Sequence, residues 1–154
     1  MSQSHSHSNC QSSIEDAILL ENQICFPLYS AANAVIRAYR PLLEKLDLTY
    51  SQYLVMLVLW QKNGINVKDL GAKLYLDSGT LTPLLKRLES KGIVERRRGK
   101  DDERVRELYL TEMGQALKQQ ALSIPREMQC KFDLSWDELL TLKKLCERVI
   151  GQLG

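Results

Sequence analysis

A mainly helical fold carrying one small β-wing is predicted for this chain of 154 residues, on three observations. Most of the sequence repeats its apolar residues at spacings of three and four, the period of a helix with one buried face. One stretch breaks that rhythm. After Gly92 the period becomes two-like, with Ile93-Val94 leading into Arg96-Arg97-Arg98 and Val105, Leu108 and Leu110 following a charged tip. The segment before it, Ser78 to Ser90, sets Leu81, Leu84, Leu85 and Leu88 on one face and Thr80, Thr82, Lys86, Arg87 and Ser90 on the other. A polar-faced helix followed by a cationic ribbon is the form of a winged helix-turn-helix, with the helix for a major groove and the ribbon for a minor groove.

Composition sets the outer bounds. Hydrophobic content of 44% and charged content of 26% are globular averages, and the length suits one domain with a sizeable core. The net charge is only +2, but it is unevenly spread. Lys86 to Arg106 holds nine Lys or Arg against five Asp or Glu, +4, so the remainder sums to −2. Basicity therefore sits where the fold would put nucleic acid. No apolar run approaches the roughly 20 residues that span a bilayer, and no signal peptide is visible. Cys10, Cys25, Cys130 and Cys146 show no CxxC pairing and no clustering with His. A cytoplasmic protein with thiols available for redox chemistry is expected, with no cofactor and no metal.

Residues 1–13 are rich in Ser, His and Gln without periodicity and read as a disordered tail; its His5 and His7 have no carboxylate or thiolate beside them to complete a metal site. From Ile14 to Leu46 one long helix is expected, with Ile18, Cys25, Leu28, Tyr29, Ala32, Val35, Ile36 and Tyr39 near one stripe. Pro27 removes a backbone donor, so a kink is expected beside Cys25. Pro41 ends this helix or begins its last segment.

Thr49 and Gln52 form a capping box ahead of a helix apolar nearly all round (Tyr53, Leu54, Met56, Leu57, Leu59, Trp60), hence buried; Asn63-Gly64 closes it. Asn66 caps a short helix through Leu74. Ser78 or Thr80 then caps the recognition helix, where Pro83 falls early enough to be tolerated. Beyond the ribbon, Thr111 starts a helix through Leu122, and Pro125 breaks it before Met128 and Cys130. Ser135 and Glu138 form a second capping box. The last helix carries Leu139, Leu142, Cys146, Val149 and Leu153 on a seam suited to helix contact. Residues 14–48 and 111–154 are thus expected to form a homodimer through the N- and C-terminal helices, and residues 49–110 the DNA-binding region.

This order of elements resembles the MarR family of winged-helix repressors. Asp102-Glu103-Arg104, then Leu110-Thr111 and Gly114, match its wing signature. The organic hydroperoxide-sensing branch, OhrR, is more similar still. That resemblance rests on Asn22-Gln23-Ile24-Cys25-Phe26, on the run from Leu48 to Trp60, and on the run from Leu74 to Pro83; Pro27, where a small residue is expected, departs from it.

A cysteine that senses a peroxide reacts as its thiolate, yet Cys25 has no Lys, Arg or His within a helical turn. Tyr39 lies fourteen residues on, about 21 Å along one helix, out of reach within one chain. The resemblance implies a two-fold arrangement in which Tyr39 and Tyr50 of the partner subunit donate to the Cys25 sulfur, with Tyr29 lining the pocket. It also implies that Cys130 resolves the oxidised Cys25 as an intersubunit disulfide; Cys146, on the apolar seam, remains the rival. Ser78, Thr80 and Thr82 are expected to meet bases or phosphates, Lys86 and Arg87 phosphates, and one or two of Arg96, Arg97 and Arg98 (Arg98 foremost) the wing-side backbone. Arg104, held by Asp102, is expected in the minor groove. The implied partner is palindromic, AT-rich double-stranded operator DNA, and the implied inducer an organic hydroperoxide. Two rival functions are a repressor released by a noncovalent ligand, which shares the fold, and a thiol peroxidase, which would want a βαβ scaffold.

Overall fold

The computed structural model describes residues 14–154, so Cys10, His5 and His7 lie outside the described residues. The chain divides between Arg37 and Ala38 into two compact units.

In the first unit, the expected single helix from Ile14 is replaced by two short 3-10 turns, Asp16–Ile18 and Leu20–Asn22. The side chains of Asn22 and Gln23 donate back to the carbonyls of Asp16 and Ala17, both at 2.7 Å, and hold these turns. The α-helix α1 begins only at Cys25 and runs to Glu44. Ile18 is therefore on no helical stripe, and Pro27 makes no kink. It occupies the first turn, where a backbone N–H has no helical partner to lose. Pro41, by contrast, sits inside α1, which continues past it.

The second unit is built on the sequence's own punctuation. Helix α2 (Tyr50–Gln61) opens with the full capping box: Thr49 Oγ1 accepts from the Gln52 N–H at 3.3 Å and Gln52 Oε1 from the Thr49 N–H at 3.1 Å. Strand β1 (Ile65–Asn66) is a two-residue bridge that periodicity could not reveal. Asn66 then caps α3 (Val67–Leu74), accepting from the Asp69 N–H at 2.7 Å. Helix α4 (Ser78–Ser90) is capped by Asp77, not by Ser78 or Thr80; its carboxylate accepts from the Thr80 N–H at 2.7 Å. Asp77 prevails because its oxygen stands one residue ahead of the helix, three before the N–H that needs a partner.

Gly92, at φ +73°, turns the chain into β2 (Val94–Arg98), which pairs antiparallel with β3 (Arg106–Leu110). The sheet order is β1-β3-β2, with Ile65 opposite Leu108 and Val94 opposite Leu110. Helices α5 (Glu112–Ala121), α6 (Ile124–Lys131) and α7 (Trp136–Leu153) follow, with Pro125 in the first turn of α6. The core gathers Val55, Met56, Leu59, Leu70, Leu81, Leu85, Leu88 and Leu108, each at most 1% exposed. All of them come from α2, α3, α4 and β3.

Two contacts seat α5 on this core. Trp60 Nε1 donates to the Gly114 carbonyl at 2.9 Å, and Thr111 donates to the Gly92 carbonyl at 2.6 Å while accepting from the Gly114 N–H. Gly114 is required by space: a Cβ there would lie 2.0 Å from the Ile93 carbonyl oxygen.

Candidate nucleic-acid interface and thiol sensor

Helix α4 buries Leu81, Leu84, Leu85 and Leu88 and leaves Ser78, Thr80, Thr82, Lys86 and Arg87 in solvent. These are the five polar residues expected of a recognition helix, and burial of the leucines is what turns them outward. Thr80 gives its backbone N–H to the cap. The Asp77 carboxyl is held below the usual carboxylate range, chiefly by that N–H and the Thr80 hydroxyl.

The wing sorts its own arginines. Arg96 makes a two-pronged pair with Glu89 at the end of α4, both contacts at 2.8 Å. Arg97 pairs with Glu95 and lies 4.3 Å over the ring of Tyr109, whose hydroxyl donates to Glu107 at 2.7 Å. Both guanidinium groups thus fasten the ribbon to itself and to α4. Arg98 is exposed and stands directly opposite Arg106 in the strand register. Like charges facing each other across an antiparallel pair repel, a cost that a polyanion removes. Arg106 was not foreseen, because the register that pairs it with Arg98 is invisible along the chain.

At the wing tip, Asp102 holds Arg104 through the backbone: its carboxylate accepts from the Arg104 N–H at 3.0 Å. The tip is closed by Val105 N–H to Asp102 carbonyl and Gly99 N–H to Val105 carbonyl, at 3.1 and 2.8 Å. The Arg104 guanidinium makes no internal ion pair among the described residues. A cleft of about 530 Å³ runs between α3, the start of α4 and the wing, and Lys68, Ser78, Arg104 and Arg106 share its walls.

The thiols and phenols divide between the two units. In the first, Cys25 is the first residue of α1 and exposed, at the helix end whose dipole favours anions. Tyr29, one turn on, is 66% exposed. In the second, Tyr39 and Tyr50 come together with ring centroids 4.7 Å apart. Tyr53, 5.8 Å from Tyr39 and 6.4 Å from Tyr50, completes a cluster that continues to Trp60 at 6.4 Å. The apolar pattern of α2 marks Tyr53 only as core; its spacing of three from Tyr50 is the signal that places it in the cluster. Burial, then the neighbouring phenols Tyr50 and Tyr53, push the Tyr39 hydroxyl from its ordinary value near 10 up to about 12. Burial raises Tyr50 and Tyr53 as well. All three phenols are therefore neutral hydrogen-bond donors at any physiological pH. Cys130 on α6 is exposed and Cys146 on α7 half-buried, both free thiols.

The SarA/Rot family of transcriptional regulators matches residues 37–121, more than half the chain. The organic hydroperoxide resistance transcriptional regulator of Bacillus subtilis (strain 168) is 46% identical over 128 residues, covering 83% of this chain and 87% of the relative. The chain belongs to the MarR family of winged-helix transcriptional regulators. Within that family it falls in the OhrR branch. The structure of this MarR-family chain is also similar to reduced AbfR bound to DNA, at TM-score 0.74 and 34% identity, covering 87% of this chain and 92% of that one. Disulfide-formed AbfR, at the same identity and with 87% and 91% covered, overlays less closely, at TM-score 0.61.

No helix among the described residues is long and apolar enough to cross a membrane. The relatives are transcriptional regulators, not enzymes.

Proposed function

We propose that this chain is a homodimeric repressor that holds operator DNA with α4 and the wing and releases it when an organic hydroperoxide oxidises Cys25. The observation that carries the reading is the exposed Cys25 at the start of α1 in a chain 46% identical to an organic hydroperoxide resistance regulator. The thiolate attacks the peroxide oxygen, the O–O bond breaks, and the alkoxide leaves with a proton as the alcohol. Cys25 is then a sulfenic acid. The thiol of Cys130 of the partner subunit attacks its sulfur and expels water, giving an intersubunit disulfide.

Tyr39 and Tyr50 of the partner subunit donate to the reduced sulfur, with Tyr29 lining the pocket, as the resemblance to OhrR implies. Their neutrality supports this, since only a protonated phenol can donate. Residues 14–48 and 111–154 form the dimer, and residues 49–110 read DNA. Two recognition helices must meet major grooves ~34–36 Å apart, so a disulfide that shifts the dimer base breaks the fit. Ser78, Thr80 and Thr82 contact bases or phosphates. Lys86, Arg87 and Arg98 contact phosphates. Arg104, set by the Asp102 turn, enters the minor groove of a palindromic, AT-rich site.

Fluorescence anisotropy of the reduced protein on palindromic promoter DNA, titrated with cumene hydroperoxide, tests this. Loss of binding in the wild type but not in Cys25→Ser is the expected result. A disulfide-linked dimer on a nonreducing gel should vanish in Cys130→Ser and persist in Cys146→Ser. The second reading, a repressor released by a noncovalent ligand, is favoured by one feature. Tyr53, Leu57, Trp60, Lys118, Leu122 and Pro125 line an apolar pocket of about 270 Å³ between α2, α5 and α6. A Cys25→Ser variant that still lets go of DNA on peroxide addition would favour that reading.

A further inference from the structure

Among the described residues, two non-glycine residues adopt the left-handed backbone conformation, Asp47 and Tyr75, each at φ +54°. They do the same job. Each follows a helix, and the N–H of the next residue closes that helix onto a carbonyl five positions back. Leu48 donates to Leu43 at 3.1 Å after α1, and Leu76 to Gly71 at 2.9 Å after α3. Glycine is the usual occupant of this position because a Cβ there crowds the following carbonyl. Aspartate is among the residues that tolerate it best; an aromatic residue is among those that tolerate it least.

The difference lies in what compensates. Asp47, although its side chain is 91% exposed, is tied back to the fold: Lys91 Nζ donates to its carbonyl, lies 3.5 Å from its carboxylate, and reaches Gln52 Oε1 at 3.0 Å. Tyr75 has no such return. Its side chain makes no hydrogen bond, ring contact or ion pair among the described residues, and it is 72% exposed. Nothing internal explains a strained, solvent-facing aromatic side chain at this position, and strain of this kind collects at binding sites.

Its location names the ligand. Tyr75 forms the turn between α3 and α4, two residues before the Asp77 cap. The N-terminal end of a recognition helix is the end that dips into the major groove, so the turn ahead of it passes the phosphates on the groove's edge. We propose that Tyr75 is a DNA-backbone contact whose hydroxyl donates to a phosphate oxygen beside the groove that α4 enters. The left-handed turn is what holds the phenol outward. This rests on the reading of α4 as the recognition helix.

Three chains decide it: wild type, Tyr75→Phe (hydroxyl removed, ring kept) and Tyr75→Asn, which suits the left-handed turn and removes the ring. Each is titrated by anisotropy against a labelled palindromic duplex holding two half-sites one helical turn apart, and against a random duplex of equal length, over a series of salt concentrations. Thermal unfolding is measured without DNA. A hydrogen bond to a charged acceptor lost on Tyr75→Phe should weaken both duplexes by about tenfold. The slope of log affinity against log salt should stay at its wild-type value, because no cation is removed. Tyr75→Asn should bind at least as weakly while unfolding at a higher temperature than wild type. Variants that bind like wild type overturn the proposal alone, and so does a Tyr75→Asn chain that unfolds at a lower temperature. A wild type that binds neither duplex overturns the DNA-binding reading together with this one.

Discussion

Helices α4 and α7 carry the same kind of sequence and meet opposite fates. Both set apolar residues at spacings of three and four beside a charged face. In α4 all four leucines are buried, against α2, α3 and the wing. In α7 no residue is buried: Leu142, Leu145, Val149, Ile150 and Leu153 are 44, 50, 41, 38 and 83% exposed. Periodicity states which face of a helix seeks cover and is silent about what covers it. Helix α4 finds its cover within the chain. The α7 face is larger than scattered surface apolar residues explain, and a second copy of the chain is the cover the proposed dimer supplies.

The comparison can be broken most sharply at α4. Leu88→Ala removes a side chain with no exposure and should cost ~2–5 kcal/mol in denaturant unfolding; a loss under ~1 kcal/mol would mean the core relaxes around the gap. Next is Gly114→Ala, which drives a methyl group into the Ile93 carbonyl and should cost ~1–3 kcal/mol as overpacking. The equivalent changes on α7, Leu142→Glu with Val149→Glu, should leave unfolding at high dilution within ~0.5 kcal/mol, as for surface sites. Sedimentation should nevertheless find half the mass. A double variant that stays dimeric would remove α7 from the interface.

Two pH effects sharpen the comparison further, and both are smaller. The lowered Asp77 carboxyl contributes stability that is present above the ordinary carboxylate range, about pH 4, and is lost as pH falls through its folded value. Asp77→Asn should therefore flatten the acid limb of the melting-temperature profile; superimposable profiles would deny the cap any electrostatic part. The Tyr39 phenol is raised to about 12, so its contribution is complete below about pH 10 and drains away as pH rises through about 12. Phenolate absorbance should show a last-titrating tyrosine, later than the raised Tyr50 and Tyr53, that disappears in Tyr39→Phe.

Much of the chain could be read before folding. The caps Thr49, Asn66, Thr111 and Ser135 are local chemistry, an oxygen placed three residues ahead of the N–H it satisfies, and each stands where it is expected. The recognition face of α4 followed from its leucines. Local reasoning failed at the N-terminal side, where apolar spacing between Ile14 and Cys25 resembled a helix. The side chains of Asn22 and Gln23 instead bind backbone carbonyls six residues back, a competition that spacing does not register. It failed again at the start of α4, where Ser78 or Thr80 is the expected cap and Asp77, one residue ahead of the helix, is the actual one.

By itself, then, the sequence determined the fold class, the starts of α2, α3, α5 and α7, the polar face of α4 and the cationic ribbon, because each depends on residues within a turn or two of one another. The tertiary structure alone decided which wing arginines are spent on Glu89 and Glu95, that Arg98 faces Arg106, that Tyr53 joins Tyr39 and Tyr50, and that Tyr75 is left strained in solvent. Those outcomes depend on strand register and on which helices meet, and both are settled by burial of leucines far apart in the chain.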